Sequence, residues 1–273
     1  NAKLAQREEL EIGLRHALVR SEFALHYQPR IDISSGRLIG LEALLRWQHP
    51  RFGLLPPARF LPILESSGLI HSAGEWIIEN ACRQLAAWQQ QFELPDLSMA
   101  INISPQQLMH KRLIECVANA IANTALDPGC IELEIGDGDI VRKRGTELET
   151  LRGLRRLGIR LSLDHFGIGD VSFESLDNGF IDSFVLDHSL IEDVADNQSH
   201  QRIVRAAIAM AQGLDIEVAA EGVETLTQLE FLKGCNCDLA QGFLISRPMQ
   251  PEKVSAILRS EIAGTQLLTR GMP

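Results

Sequence analysis

A closed (β/α)8, TIM-like barrel of the α/β class is the fold this sequence predicts, on three observations. Short β-rich apolar runs alternate with amphipathic helical stretches along the whole chain. Each run gives way to a polar residue at its end. The length of 273 residues fits one such barrel, for which about 250 residues is typical. A doubly wound open sheet is the alternative that the same alternation permits.

The runs justify eight strands in order. Phe23–Tyr27 leads to Gln28-Pro29, Leu38–Leu41 to Glu42, Leu97–Ile101 to Asn102, and Ile131–Leu133 to Glu134. Ile159–Leu163 leads to Asp164, Phe184–Leu186 to Asp187, Glu217–Ala220 to Glu221, and Leu239-Ala240 to Gln241. Between them, Ile77, Ala81, Leu85, Trp88 and Phe92 recur at spacings of three and four, which predicts a helix over 72–92 with one buried face. Ser104 followed by Pro105 is an apt N-cap and first turn for a second helix carrying Leu108, Ile114, Val117 and Ile121. Leu148, Leu151, Leu154 and Leu157 give a third, stopped by Gly158. Ile203–Leu214, Thr225–Lys233 and Glu252–Arg259 follow, and 166–182 reads as loop. An opening amphipathic helix with Leu10, Leu14 and Leu18 is expected to pack on the barrel. The expected organisation is a cloning scar or linker over 1–7, the barrel over 8–260 and a tail over 261–273.

Composition narrows the function. Against 26 Lys+Arg stand 36 Asp+Glu, a net charge of −10. A field of that sign excludes a sequence-independent binder of polymeric nucleic acid but not a small anion held by a metal and a few arginines. No apolar run approaches the ~20 residues of a membrane span, so membrane contact by this stretch is not expected. Five cysteines without framework spacing read as reduced thiols of a cytoplasmic protein.

In a barrel, side chains at the carboxyl ends of the strands converge on one face. This sequence places Glu42, Asn102, Glu134, Asp164 and Glu221 there. Carboxylates gathered in that way repel unless a cation neutralises them. An all-oxygen donor set suits Mg2+, Mn2+ or Ca2+ rather than zinc.

The same residues carry a family resemblance. Glu42-Ala43-Leu44-Leu45-Arg46-Trp47 resembles the signature of the EAL family of cyclic di-GMP phosphodiesterases. Tyr27-Gln28-Pro29, Ile101-Asn102-Ile103-Ser104 with Gln107, Glu132-Leu133-Glu134-Ile135, Asp164 with Phe166-Gly167, Glu221-Gly222-Val223-Glu224-Thr225, Gln241-Gly242-Phe243 and Ser246-Arg247-Pro248 are similar to its further motifs, in the family's order. The resemblance covers roughly residues 8–260. It implies a barrel whose first strand is antiparallel to the rest, and metal-dependent opening of cyclic di-GMP to the linear dinucleotide. It implies Glu42, Asn102, Glu134 and Asp164 as ligands of a first Mg2+ or Mn2+, with Asp164 bridging to a second. It implies Glu221 as organiser of the attacking water, and Gln28, Arg46, Gln241 and Pro248 as contacts of the dinucleotide. A homodimer through the region after Asp164 also belongs to that expectation; a protein partner and a membrane-tethered parent protein are expectations that stand beside it.

Four departures fall at the chemistry. His165 stands where the family has a second aspartate, which exchanges an anionic oxygen ligand of the second metal for a nitrogen that suits Mn2+ better than Mg2+. Val185 stands where a lysine precedes the Ile-Asp of the sixth barrel strand, which deletes a point cation beside the water. Gly136-Asp137 replaces Thr-Glu, and Gly167-Ile168-Gly169-Asp170-Val171 replaces Gly-Thr-Gly-Tyr-Ser. One anion and one cation are lost together, so the site's formal charge is unchanged. The expectation is therefore a degenerate domain that binds cyclic di-GMP with one metal and hydrolyses it weakly or not at all. The alternatives are an active phosphodiesterase with altered metal preference, and an interaction domain without nucleotide binding. Trp47 and Trp76 are expected in the core, His49 in a loop, His188 at the surface, and Gly167-Ile168-Gly169 in a turn.

Overall fold

The computed structural model describes residues 2–136, 145–167 and 179–263. Its strands are β1 (Phe23–Asp32), β2 (Leu38–His49), β3 (Gly53–Leu55), β4 (Ser98–Ile103), β5 (Ile131–Gly136), β6 (Arg160–Phe166), β7 (Ser183–Leu186), β8 (Glu217–Ala220) and β9 (Leu239–Ala240). The sheet order is β1-β9-β8-β7-β6-β5-β4-β2-β3, with β1 also paired to β2, so eight strands close on themselves and β3 hangs on the edge of β2. β1 is antiparallel to both neighbours, whereas β2, β4–β5–β6–β7–β8 and β9 are paired in parallel. Closure and the reversed first strand rule out the open sheet and agree with the expected barrel.

Five strands, β1, β2, β4, β5 and β6, run further than their apolar runs predict, β1 and β2 the most. β1 continues through Pro29 to Asp32, and β2 continues past Glu42 to His49. The cause is that Gln28, Arg30 and Glu42 face the barrel interior, and that interior is polar. His49 consequently closes β2 rather than sitting in a loop. It is buried, and its Nδ1 accepts from the Arg51 and Phe52 amides at 3.1 and 3.2 Å in the turn to β3.

The helices are α1 (Ala2–Ala17), α2 (Leu61–Ser66), α3 (Ile70–Phe92), α4 (Pro105–Leu108), α5 (Arg112–Thr124), α6 (Thr146–Arg156), α7 (His188–Ile191), α8 (Gln198–Gly213), α9 (Leu226–Gly234) and α10 (Pro251–Ile262). Leu10 and Leu14 of α1 are buried, as an opening helix packed on the barrel requires. Ser104 caps α4 with a capping box completed by Gln107. The single helix expected after Ser104 is broken at Met109. Leu108 and Ile114 are six residues apart, which a continuous helix would turn onto different faces, and the break brings both inward. None of the helices among the described residues is long and apolar enough to cross a membrane.

The main core lies between barrel and helices, around Trp47, Trp88, Phe60, Phe184 and Met99. Trp76 packs against it partly buried. A separate, small apolar plug of Val185, Ala219 and Leu239, with Ile39 against it, sits inside the barrel. The expected departures at Asp137 and at Ile168, Gly169, Asp170 and Val171 lie outside the described residues, as does most of the segment expected to form a homodimer.

Candidate functional site

Pairing register sets the mouth. Gln28 lies opposite Glu42 across β1–β2, Glu42 beside Ala100 across β2–β4, and Asn102 beside Glu134 across β4–β5. Residues level with one another in a sheet share a face, so these side chains enter the same space. Asp164 and Glu221 join them from β6 and the end of β8. Glu42, Asn102, Glu134, Asp164 and Glu221 line one cavity of about 480 Å3, with His165 beside them. Leu61, Ile70 and Ile77 of α2 and α3 form an apolar wall of it.

Both Glu42 oxygens are held. The Asn102 amide donates to Oε1 at 2.6 Å, and the Gln241 amide donates to Oε2. Gln241 also donates to Gln28 Oε1 at 3.1 Å, and Gln28 donates to the Ser246 carbonyl at 3.0 Å. Gln28 and Gln241 therefore lie behind Glu42 as its supports. Arg46 and Pro248 are not among the residues that line the cavity. Arg46 is half-buried and its guanidinium donates to the Leu45 carbonyl at 2.8 Å. The Pro248 carbonyl accepts from His26.

β6 carries a bulge. Its register with β7 shifts between Leu163 and Phe166, and His165 has φ 58°. Histidine is one of the few side chains that tolerates this left-handed region. Strict alternation would send His165 out of the barrel. The bulge instead turns it along the rim, where Nε2 lies 3.3 Å from Asp164 Oδ2 and Nδ1 lies 2.8 Å from Asp187 Oδ2. Asp187 in turn caps α7 by accepting from the Ser189 amide at 2.7 Å. One ligand atom each from Asp164, His165 and Glu221 lie within 4.8 Å of one another. His188 is exposed, with its ring against Gly222.

The electrostatics fit a cation. Burial raises the pKa of Glu134 and of Asp164, and Glu42 adds to both shifts. Burial, then Glu42 and Asp164, push Glu221 up to about 7. Each carboxylate thus resists ionisation because its neighbours are ionised in a water-poor place. A hard divalent ion is the group that relieves such a set, and every donor but His165 is oxygen.

Three participants were not read as site residues, although Asp187 was read as a strand end and Glu132 as part of a motif. Arg30, Glu132 and Asp187 meet the site from inside or beside it. Arg30 follows Gln28 by two, and Glu132 precedes Glu134 by two, so the strand period alone places each with its neighbour.

A reversed-first-strand (β/α)8 barrel with a carboxylate-rich mouth defines the class. Within it, the chain belongs to the EAL domain family, whose profile matches residues 13–248. It is 38% identical over 256 residues to the bifunctional diguanylate cyclase/cyclic di-GMP phosphodiesterase MucR of Pseudomonas aeruginosa, which covers 94% of this chain and 37% of MucR. It is 37% identical over 245 residues to an uncharacterized signaling protein of Caulobacter vibrioides, covering 90% of this chain and 30% of that one. The chain thus spans about a third of these relatives. Among solved structures, the PaMucR phosphodiesterase in its c-di-GMP complex superposes with a TM-score of 0.86 at 38% identity, over 90% of this chain and 99% of that one. The EAL enzyme Bd1971 with cAMP and cyclic-di-GMP bound superposes with a TM-score of 0.89 at 28% identity, over 94% of this chain and 70% of that one.

Proposed function

We propose that this domain binds cyclic di-GMP at the barrel mouth through one divalent cation and opens the ring weakly or not at all. The observation that carries the proposal is the place of Val185: it faces the interior with Ala219, Leu239 and Ile39 as an apolar plug, two residues below Asp187. Position 185 itself therefore offers no charge to steady an attacking water or the charge that grows on the phosphate.

Glu42, Asn102, Glu134 and Asp164 would hold Mg2+ or Mn2+, which supplies a positive charge for a phosphate oxygen of the dinucleotide. Asn102 donates to Glu42 through its nitrogen, which leaves its carbonyl oxygen for the metal. Gln241 and Gln28 keep Glu42 aimed into the cavity. Arg46 and Pro248 would be the dinucleotide contacts, reached by a ligand that extends beyond the cavity lining. Glu221, with its carboxyl pushed up to about 7, is the group that would take a proton from water, and Asp187 holds the neighbouring His165 ring.

A second reading has its own support. The grouping of Asp164, His165 and Glu221 within 4.8 Å is a mixed nitrogen–oxygen site that suits Mn2+ better than Mg2+. On that reading the domain is a phosphodiesterase of altered metal preference. Calorimetry with cyclic di-GMP, followed by turnover in excess Mg2+ and then Mn2+, separates the two. Binding with little turnover in either metal is the expected result. Turnover restored by Mn2+ alone would favour the second reading, and brisk turnover in Mg2+ would overturn the first. Absence of binding would leave an interaction domain for a protein partner.

A further inference from the structure

Inside the barrel, beneath the mouth, one arginine is shared by three acceptors. Arg30 enters from β1 with its side chain 6% exposed. Its Nε donates to Gln241 Oε1 at 2.7 Å, its Nη1 to Glu132 Oε1 at 2.9 Å, and its Nη2 to Glu134 Oε1. Below, Ser183 donates to the other Glu132 oxygen at 2.9 Å. Among the described residues no other lysine or arginine forms an ion pair with Glu42, Glu134, Asp164 or Glu221.

Two consequences follow from donor chemistry. A guanidinium only donates, so the Gln241 oxygen must face Arg30 and its amide nitrogen must face Glu42. Arg30 thereby orients Glu134 directly and Glu42 through Gln241, two of the carboxylates that face the cavity. Its charge also lies against Glu134 on the side opposite the cavity, so it repels any divalent cation that Glu134 would hold.

We infer that Arg30 is a built-in counter-cation of the mouth: it keeps the carboxylates assembled when no metal is bound, and it lowers the mouth's affinity for a divalent ion. The inference rests on the reading of the mouth as a metal site. It makes Arg30 a positioning residue whose charge opposes the metal it prepares for. The two effects have opposite signs, and charge wins because a divalent ion and a guanidinium would share one buried carboxylate in a low-dielectric place.

The test is Mn2+ binding, followed by the loss of the free-ion electron paramagnetic signal, with thermal unfolding of each protein in EDTA and in Mn2+. Arg30→Gln is expected to bind Mn2+ about tenfold more tightly than the parent, or more. Its melting temperature is expected to fall in EDTA and to recover with Mn2+. A merely structural arginine predicts the opposite: weaker Mn2+ binding, and an equal loss of melting temperature in both conditions. Either of those results would overturn the inference. A parent that binds no Mn2+ while Arg30→Gln binds it would support the inference in its strongest form. Binding by neither protein would overturn the inference together with the metal-site reading on which it rests. Should Arg30→Gln fold in neither condition, Arg30→Lys decides, because it keeps the charge and loses the fork. Mn2+ affinity within about fivefold of the parent then supports charge as the determinant, and any larger change overturns it.

Discussion

Restoring a cation to β7 is the most direct perturbation of the proposed function. Val185 is 3% exposed and faces the interior level with Ala219, two residues below Glu221. Two residues along a strand are about 6.6 Å, a height that a lysine's four-carbon stem spans from position 185 to the level of Asp187 and Glu221. Ala219 beside it is small, and the Ser162 hydroxyl, buried and one pleat lower on β6 beside Ser183, has no hydrogen-bond partner in the described structure. A lysine stem replaces most of the apolar contact of valine, and its head meets an excess of carboxylates. His165→Asp in the same protein returns an oxygen ligand, at a left-handed position that aspartate also tolerates. A well-placed donor to developing charge contributes ~2.7–4 kcal/mol, so the double variant should turn over cyclic di-GMP about 10²–10³ faster than the parent. The assay is the initial rate of linear dinucleotide formation in excess Mg2+. An unchanged rate, in a variant that melts cooperatively and still binds the ligand, would refute the proposal that Val185 and His165 limit hydrolysis.

Three further outcomes are expected. The folded pKa of Glu221 lies above its ordinary 4.5, at about 7, so stability from its protonated form is complete below that ordinary value and is lost as pH rises through about 7. Glu221→Gln cannot titrate, so in EDTA its melting temperature relative to the parent should climb between about pH 5 and 8; a difference independent of pH would remove Glu221 from the strained cluster. Mn2+ at about 100 times its dissociation constant should add ~2.7 kcal/mol to unfolding measured in denaturant, and a null effect would speak against metal at the mouth. A Cβ at Gly242 would stand 2.1 Å from the Val223 carbonyl oxygen and 2.3 Å from its nitrogen. Gly242→Ala should therefore cost ~1–3 kcal/mol in denaturant unfolding and shift Gln241 off Glu42, weakening Mn2+ binding with it.

The barrel was legible because each apolar run is a strand buried against helices, and because its polar end residues recur in step. Where each strand stops was not legible. Hydrophobic patterning treats a polar residue as an end, yet Glu42 stands well inside β2 and Gln28 inside β1. The wall facing the helices obeys the apolar rule, and the wall facing the lumen follows the needs of charge. Arg30 was missed because it lies past the end read at Gln28-Pro29, and Glu132 because it alternates inside an otherwise apolar run; neither shows its role until its partner is seen. β3 was missed because three residues starting at a glycine show no alternation to read. The pairing of His165 with Asp187 depends on a bulge, and a bulge breaks the period on which a sequence reading relies.

That bulge also explains how one substitution alters the mouth without dismantling it. A carboxylate at 165 would stand between Asp164 and Asp187 as a third anion and would depend on a cation to stay there. Histidine in the same backbone shape meets both neighbours at 2.8 and 3.3 Å, and those two aspartates, together with its side-chain bond to Asp187, raise its pKa against the opposing effect of burial. Its two ring nitrogens face the two aspartates where a carboxylate would add a third anion. The rim at β6 and β7 is thus assembled by the chain's own side chains, as Glu42 and Glu134 are assembled by Gln241 and Arg30. A mouth held together at two places by internal partners keeps its shape for an anionic ligand whether or not two metals are present. On the proposed reading that favours retention of binding over turnover, since turnover also needs a charge beside the water that Val185 does not supply.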